Sequence, residues 1–331
     1  MPNIIHVSGT PQERGKQLGE LWRDDMSVAF LKWTEHFEAL GHDADAIAQR
    51  LAESIAWDLA EKHTPEIVDE LKATAVASGL EWKVISALSL LDESWAATGG
   101  AACTAIAVTR PNMRSVGQNM DLPAWTHGLA RVAVHEESSG IKVGCVTYPG
   151  MPATCGANSA GLGVAVNALE HLPVQEAGVP VAFITRTILS MSDALEAADF
   201  LTSIPHGVGQ SYTVLDPQHL VRIEAAADQV VDLPTEGLVF GHSNHALGRA
   251  DVMSESSRLR LDAVDSASDS ILDHNDVMTV LLNRDTGVCM TPGRWDNNLY
   301  SFASFVSNVN ESALWVNLDP AGSGKFEQIL H

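Results

Sequence analysis

Ala101-Ala102-Cys103-Thr104-Ala105 marks the point at which this chain changes character, and the reading of that seam decides the fold. Upstream, from Thr10 to about Ala97, Leu, Trp, Phe and Ala recur at three-to-four-residue spacing among Glu, Lys and Asp, the periodicity of helices with one apolar face. Thr64-Pro65-Glu66 reads as a helix start, with Thr64 capping and proline in the first turn, and Gly79 reads as that helix's stop. A further helix is expected from about Glu81 to Ala97. Downstream the pattern switches to short β-rich runs at 104–109, 131–135, 141–148 and 162–167, divided by Gly, Asn and Pro clusters. Helical periodicity returns over 181–202, with Ser192 or Asp193 placed to cap a second helix after an interruption. Strands are expected over 211–233, helices over about 256–283, and strands again at 299–308 and 313–318. Strands and helices grouped in this way predict an α+β protein whose sheets are covered by helices, not a doubly wound parallel sheet.

The bulk composition narrows the function. With 45% hydrophobic and 19% charged residues, the 331-residue chain has enough apolar material for a large core. Twenty basic residues face 42 acidic ones, a net charge of −22, the wrong sign for neutralising phosphates or anionic lipid. Nucleic acid and membranes are therefore not expected as partners. The opening residues carry neither a basic leader nor an apolar stretch of signal-peptide length, and the expectation is a cytoplasmic protein. In a reducing compartment Cys103, Cys145, Cys155 and Cys289 stay thiols, and no pair has metal-type spacing.

Several fragments resemble catalytic motifs and fail on spacing. Gly322-Ser323-Gly324-Lys325 lacks the upstream glycine and downstream hydroxyl of a phosphate-binding loop and reads as a turn. Ser139-Gly140-Ile141-Lys142 sits in a polar turn between strands, where Ser-x-x-Lys chemistry has no helix to work from. His242 and His245 are three apart in a strand-to-loop context, point to opposite faces, and have no third ligand at metal spacing. No metal is expected. Cys103 survives this sifting. A lone cysteine at such a seam is by base rate a small buried hydrophobe. Two features favour a nucleophile instead: small residues before it leave room around the preceding peptide bond, and Gly117-Gln118-Asn119-Met120-Asp121 follows at hairpin distance, so that Asp121 can return beside the thiol. Asp121 alone could equally close a turn. Asn167, a polar amide within Val-Ala-Val-Asn-Ala-Leu, needs a partner or a task.

Cys103-Thr104, Gly117 to Asp121, and Gly156-Ala157-Asn158-Ser159-Ala160-Gly161-Leu162-Gly163 running into Asn167 together resemble the isopenicillin-N acyltransferase branch of the N-terminal nucleophile hydrolases. More distantly they resemble the choloylglycine hydrolase and penicillin V acylase group. Gly9 to Gly15, Gly178-Val179-Pro180 with Arg186 and Leu189, Ser243-Asn244-His245 and Ser256-Ser257-Arg258 match in the same order, so that the likeness spans nearly the whole chain. The resemblance implies a four-layer αββα sandwich that forms one structural domain. Residues 1–102 would be a helical pro-segment retained as a small subunit after the chain cuts itself between Ala102 and Cys103, and residues 103–331 the catalytic unit. It also implies that Asp121 holds the new α-amine and the thiol, that Asn167 donates to the oxyanion, and that Arg258 sits behind the cysteine and the aspartate. No cofactor is implied.

The chemistry suits these residue types. Cleavage gives Cys103 an α-amine of pKa about 7.7–8.0 beside a thiol of about 8.5, so one residue supplies both base and nucleophile. An oxyanion donor such as the Asn167 amide is worth on the order of 3–4 kcal/mol of barrier. The expected activity is hydrolysis of a non-peptide amide of a small N-acyl compound through an acyl-thioester. Transfer of the acyl group to an amine stays open as the alternative, as does an uncleaved binding relative. Thr104, Trp125, Asn244 and His245 are candidate substrate-pocket residues, and Leu122 and Tyr148 stand near enough to the motifs to join them. The partners expected are the amide substrate and the chain's own pro-segment, with self-association into a homo-oligomer left open.

Overall fold

The structure is a computed structural model that describes residues 3–95, 102–294 and 298–331. Two sheets lie face to face. The larger, of eight strands, has the order β1-β4-β5-β6-β7-β8-β9-β10, built from Ile4–Gly9, Arg131–Glu137, Lys142–Thr147, Cys155–Asn158, Gly163–Ala168, Gln210–Leu215, Leu220–Ala225 and Val230–Asp232. The smaller, of six, has the order β11-β2-β3-β12-β13-β14, from Val239–His242, Ala102–Arg110, Met113–Pro123, Leu299–Asn308, Ala313–Asn317 and Glu327–Leu330. Side chains from both inner faces interlock, with Val116, Met120 and Phe305 of the smaller sheet meeting Val164, Val166 and Tyr212 of the larger in one core cluster.

Helices complete the outer layers. Two of them, α9 (Glu255–Ala267) and α10 (His274–Leu281), lay Val264, Val277 and Leu281 against Ile106, Val108 and Val306 on the back of the smaller sheet. On the other side, α7 (Val181–Ile188) and α8 (Ala194–Ser203) cover the larger sheet. They are joined there by the N-terminal helices α1 (Pro11–Ala39), α2 (Ala44–Ala52), α3 (Ala56–His63), α4 (Pro65–Ser78), α5 (Trp82–Ser89) and α6 (Leu91–Trp95). This is the expected αββα sandwich. Among the described residues no helix is long and apolar enough to cross a membrane.

Local signals explain most boundaries. Gly79 ends α4 in the left-handed region at φ 69°, where a Cβ would be penalised. Asp193 caps α8 by accepting from the backbone N–H groups of Leu195 and Glu196. Thr64 departs from expectation: its hydroxyl turns back to donate to Ala60 O at 3.0 Å, so proline alone starts α4. The helix expected over 81–97 is broken at Leu90 into α5 and α6, and its last two positions, 96 and 97, lie outside the described residues. The N-terminal segment is also not purely helical. Its first residues form β1, which pairs in parallel with β4 from Ile4↔Val132 to Gly9↔Glu137. A six-residue strand carries too little alternation to be read in isolation, and only the sheet partner specifies it.

Two devices bind this segment to the rest. Gly15 and Gly19 lie four residues apart on α1 where it crosses α4, and a methyl at Gly15 would overlap the carbonyl oxygen of Glu70. Beneath that crossing Arg14 Nε donates to Glu70 Oε2 at 2.7 Å, and Glu70 faces His135 of β4 at 3.6 Å, with Arg186 of α7 close by. Burial alone would raise the Glu70 pKa, but His135 and the two guanidiniums hold it down to about 2. Burial, Arg186 and Arg14 lower the His135 pKa, against the opposing pull of Glu70.

Gly15→Ala is expected to cost about 1–3 kcal/mol through the forced separation of the two helices, read as a lower midpoint in denaturant. Glu70→Gln should cost about 3 kcal/mol near neutral pH because it leaves the buried Arg14 guanidinium without its carboxylate. A carboxyl whose folded pKa is depressed contributes stability above its ordinary value of 4.5 and loses that contribution as pH falls through about 2. The gap between wild type and Glu70→Gln should therefore close over that window; a gap independent of pH would count against the charged network.

Candidate active site

β2 and β3 form an antiparallel hairpin whose register sets Ala102 opposite Asp121 and Cys103 opposite Met120. Pairing of these two short runs alone thus delivers Asp121 to the Ala102–Cys103 peptide bond. Cys103 is buried, at 6% exposure, and its backbone N–H donates to Asn244 Oδ1 at 2.9 Å. Its carbonyl accepts from Nη1 of Arg260, which also donates to Thr104 Oγ1 at 2.9 Å, while Nη2 donates to Asn244 Oδ1 at 2.7 Å. One guanidinium therefore fixes the backbone of Cys103 and the side chain that grips its N–H.

Asp121 is fully buried. Its Oδ1 accepts from Ser301 Oγ at 2.6 Å, and Ser301 Oγ in turn accepts from Met290 N at 2.8 Å. Oδ2 lies 3.9 Å from Arg260 Nη1 and has no hydrogen-bond partner among the described residues. Burial raises the Asp121 carboxyl to about 7, against the opposing pull of Arg260 and Ser301. The Cys103 thiol is pushed up to about 12, first by burial and then by the Asp121 charge, with a hydrogen bond from Gln118 acting the other way. Burial thus keeps the thiol protonated at neutral pH. A cation introduced beside Asp121 would reverse that balance.

Not every expected residue falls where the sequence reading put it. Arg258 is exposed on α9, where it pairs with Asp262 at 2.8 Å; Arg260 holds the buried position behind Cys103 and Asp121. Two residues along a helix amount to about 200° of rotation, so the two arginines face opposite ways. The buried stripe Ser257, Arg260, Val264 carries the three-to-four spacing that identifies the inward face. Asn167 is buried, but its Nδ2 donates to His242 O at 3.3 Å and its Oδ1 has no partner among the described residues, while its strand neighbours Val166 and Ala168 line the cavity beside the thiol. Alternation along β7 turns the amide away from the place expected for an oxyanion donor.

Trp125 also lies elsewhere: it stacks on His36 of α1 with centroids 5.7 Å apart and does not line the cavity. Tyr148 is buried behind it, donating to Leu88 O, whereas Leu122 does line it. Thr104 and Asn244 both join the shell through Arg260. His245 acts at one remove, since its Nδ1 lies 2.8 Å from Ser257 Oγ, and that hydroxyl accepts from the Asn244 backbone N–H at 2.8 Å. His242 pairs with Glu224 at 2.9 Å. Ala101 lies outside the described residues.

Gln118, Ser257 and Ser301 were not singled out from the sequence. Gln118 clamps both backbone groups of Val166 on the facing sheet and touches the Cys103 thiol. Its place inside the Gly117–Asp121 motif, two residues from Cys103's partner Met120, was the available signal; Ser257 lay within the quoted Ser256-Ser257-Arg258 stretch, and Ser301 carried none. Cys145, Cys155 and Cys289 are buried thiols. The Cys103 cavity is mostly apolar, walled by Met120, Leu122, Met151, Val166 and Val181, with Gln210 as one of its few polar groups.

Among curated proteins none matches the chain. Solved structures with a similar arrangement include the Caenorhabditis elegans ortholog of N-acylethanolamine-hydrolyzing acid amidase, 15% identical, with 62% of this chain and 93% of that one covered and a TM-score of 0.47. A conjugated bile acid hydrolase from Clostridium perfringens, solved as a point mutant, is 11% identical, covering 69% of this chain and 92% of that one, with a TM-score of 0.46. Penicillin V acylase from Agrobacterium tumefaciens is 14% identical, covering 69% and 86%, with a TM-score of 0.44. One family model, described as acyl-coenzyme A:6-aminopenicillanic acid acyl-transferase, matches residues 108–321, which takes in Gln118, Asp121, Asn244, Arg260 and Ser301 and begins just after Cys103. With most of its length matched, the chain belongs to the acyl-coenzyme A:6-aminopenicillanic acid acyl-transferase family.

Proposed function

We propose that this chain cuts its own backbone between Ala102 and Cys103 and then uses Cys103 to cleave the amide bond of a small N-acyl compound. The observation that carries the reading is the unpartnered Oδ2 of Asp121, a buried acceptor on the strand position directly opposite Ala102. An orphaned carboxylate oxygen is costly in the uncut chain. The ammonium created at Cys103 by cleavage supplies the missing donor, keeping one hydrogen on Asn244 Oδ1 and offering another to Asp121.

In the first step Cys103 Sγ attacks the Ala102 carbonyl carbon, the C–N bond breaks as the nitrogen takes a proton, and water hydrolyses the resulting thioester. The same thiol then serves the substrate. The free α-amine accepts the thiol proton, Sγ attacks the substrate carbonyl, and the leaving amine departs with that proton, which leaves an acyl-thioester on Cys103. Arg260 and Asn244 hold the cysteine backbone through both steps, and Arg260 offsets the Asp121 charge. Attack by water on the thioester makes the protein a hydrolase; attack by an amine makes it an acyltransferase. Product partition with and without added amine separates the two.

Intact mass should show two fragments parted before Cys103, and Cys103→Ala should remain whole; wild type that stays in one piece while matching Cys103→Ala in every assay would sink the proposal. Self-cleavage should accelerate as pH rises through about 7, where Asp121 loses its proton, and Asp121→Asn should remove that inflection. Arg260→Met is expected to slow cleavage at least tenfold, whereas Arg258→Ala, which breaks an exposed pair, should change it by less than about twofold.

A further inference from the structure

Glu224 is a buried carboxylate that neither step of the reaction touches. It stands on β9 of the larger sheet, and its two oxygens gather both ends of the segment His242-Ser243-Asn244-His245-Ala246-Leu247-Gly248, which leaves the smaller sheet at the end of β11. Oε1 lies 2.9 Å from His242 Nε2 and accepts from Leu247 N at 2.6 Å, while Oε2 accepts from Gly248 N at 3.0 Å. A carboxylate has acceptor sites enough for all of these groups at one point, and its charge strengthens each bond. Two residues earlier on the same face of β9, Arg222 Nη2 donates to Gly241 O at 3.3 Å, so the strand that receives the segment also holds the residue before it. The imidazole of His242 ties the turn further, its Nδ1 donating to Ser243 O at 2.9 Å.

What the closed segment presents is Asn244. Its Oδ1 accepts from Cys103 N and from Arg260 Nη2, and its Nδ2 donates to the carbonyl of Ala168, a wall of the cavity, at 3.0 Å. Asn244 thus touches the backbone of the nucleophile from a loop, and a side chain on a loop is aimed only as well as the ends of that loop are held. We propose that Glu224 is a positioning residue for the reaction: by closing the 242–248 segment it fixes Asn244 at the Cys103 N–H, and so acts on the bond that is cut without touching a reacting atom. This rests on self-cleavage at Cys103 as described above. A carboxylate that served only to stabilise the sandwich would act on unfolding and leave the rate of the folded chain alone. One that positions Asn244 loses its effect once Asn244 has no side chain to position.

The test times self-cleavage of the full-length chain by pulse–chase in cell-free translation, with the rate expressed per molecule of folded, protease-resistant precursor. A shift of about 1 Å at a reacting group costs on the order of 100-fold, and Glu224→Ala, which frees both ends of the segment, should slow cleavage roughly tenfold. Glu224→Gln keeps an oxygen for His242 and Leu247 but turns an amide donor toward Gly248 N, and its rate should fall between the two; it carries the test if Glu224→Ala does not fold. In an Asn244→Ala background, followed over a longer chase, either substitution should change the rate by less than about twofold. Cleavage of both Glu224 variants at the wild-type rate would overturn the proposal. So would an equal slowing with and without the Asn244 side chain, which would make the contribution of Glu224 independent of it. A wild-type chain that folds and never cleaves would remove the reaction itself, and this inference with it.

Discussion

The buried guanidinium of Arg260 is the constraint around which the site is arranged. It carries a charge into a place with no access to water, and so dictates its surroundings: a carbonyl, a hydroxyl and an amide oxygen to take its hydrogens, and the Asp121 carboxylate to offset its charge. The acceptors come from three pieces of the fold and the guanidinium from a fourth. Thr104 and the Cys103 carbonyl come from β2, Asp121 from β3, Asn244 from the loop after β11, and Arg260 itself from α9. Removal of that cation would leave Asp121 without its counter-charge and Asn244 without the contact that steadies it. The geometry at the Ala102–Cys103 bond is thus a by-product of satisfying one buried arginine.

Much of this was legible from sequence because it rests on local patterns. The helix-to-strand switch at Cys103 follows from apolar spacing, and the return of Asp121 follows from hairpin distance. What escaped was long-range or depended on rotation. Arg258 and Arg260 are equivalent in composition, and only the burial of the Ser257–Val264 face against β2 and β11 separates them. Asn167 was legible as an amide needing a partner, but which side of β7 it took depended on strand phase relative to the cavity, and Trp125 was drawn to His36 by a helix distant in sequence. Ser301 reaches Asp121 from 180 residues away, which no spacing argument can foresee.

The N-terminal segment is bound to the rest by different means at different depths. At the surface of the packing, two glycines let α1 and α4 touch backbone to backbone. Deeper, Glu70 draws arginines from α1 and α7 to one carboxylate. The first set of contacts is steric and insensitive to pH; the second is electrostatic and strong only while the carboxylate is charged.

The strand β1 has a further implication. It lies at the edge of the eight-stranded sheet, hydrogen-bonded to β4 in parallel, although nearly all the chain that precedes Cys103 separates it from the other strands of that sheet. A break in the backbone before Cys103 would leave this pairing untouched, so the two pieces would stay one folding unit that no longer has a continuous thread. Once unfolded, such a molecule could regain its shape only by a second-order encounter, slower on dilution, whereas the intact chain assembles at a rate independent of concentration. Cutting would then convert a reversible fold into one that is made once, with its durability set by the barrier to unfolding and not by the equilibrium.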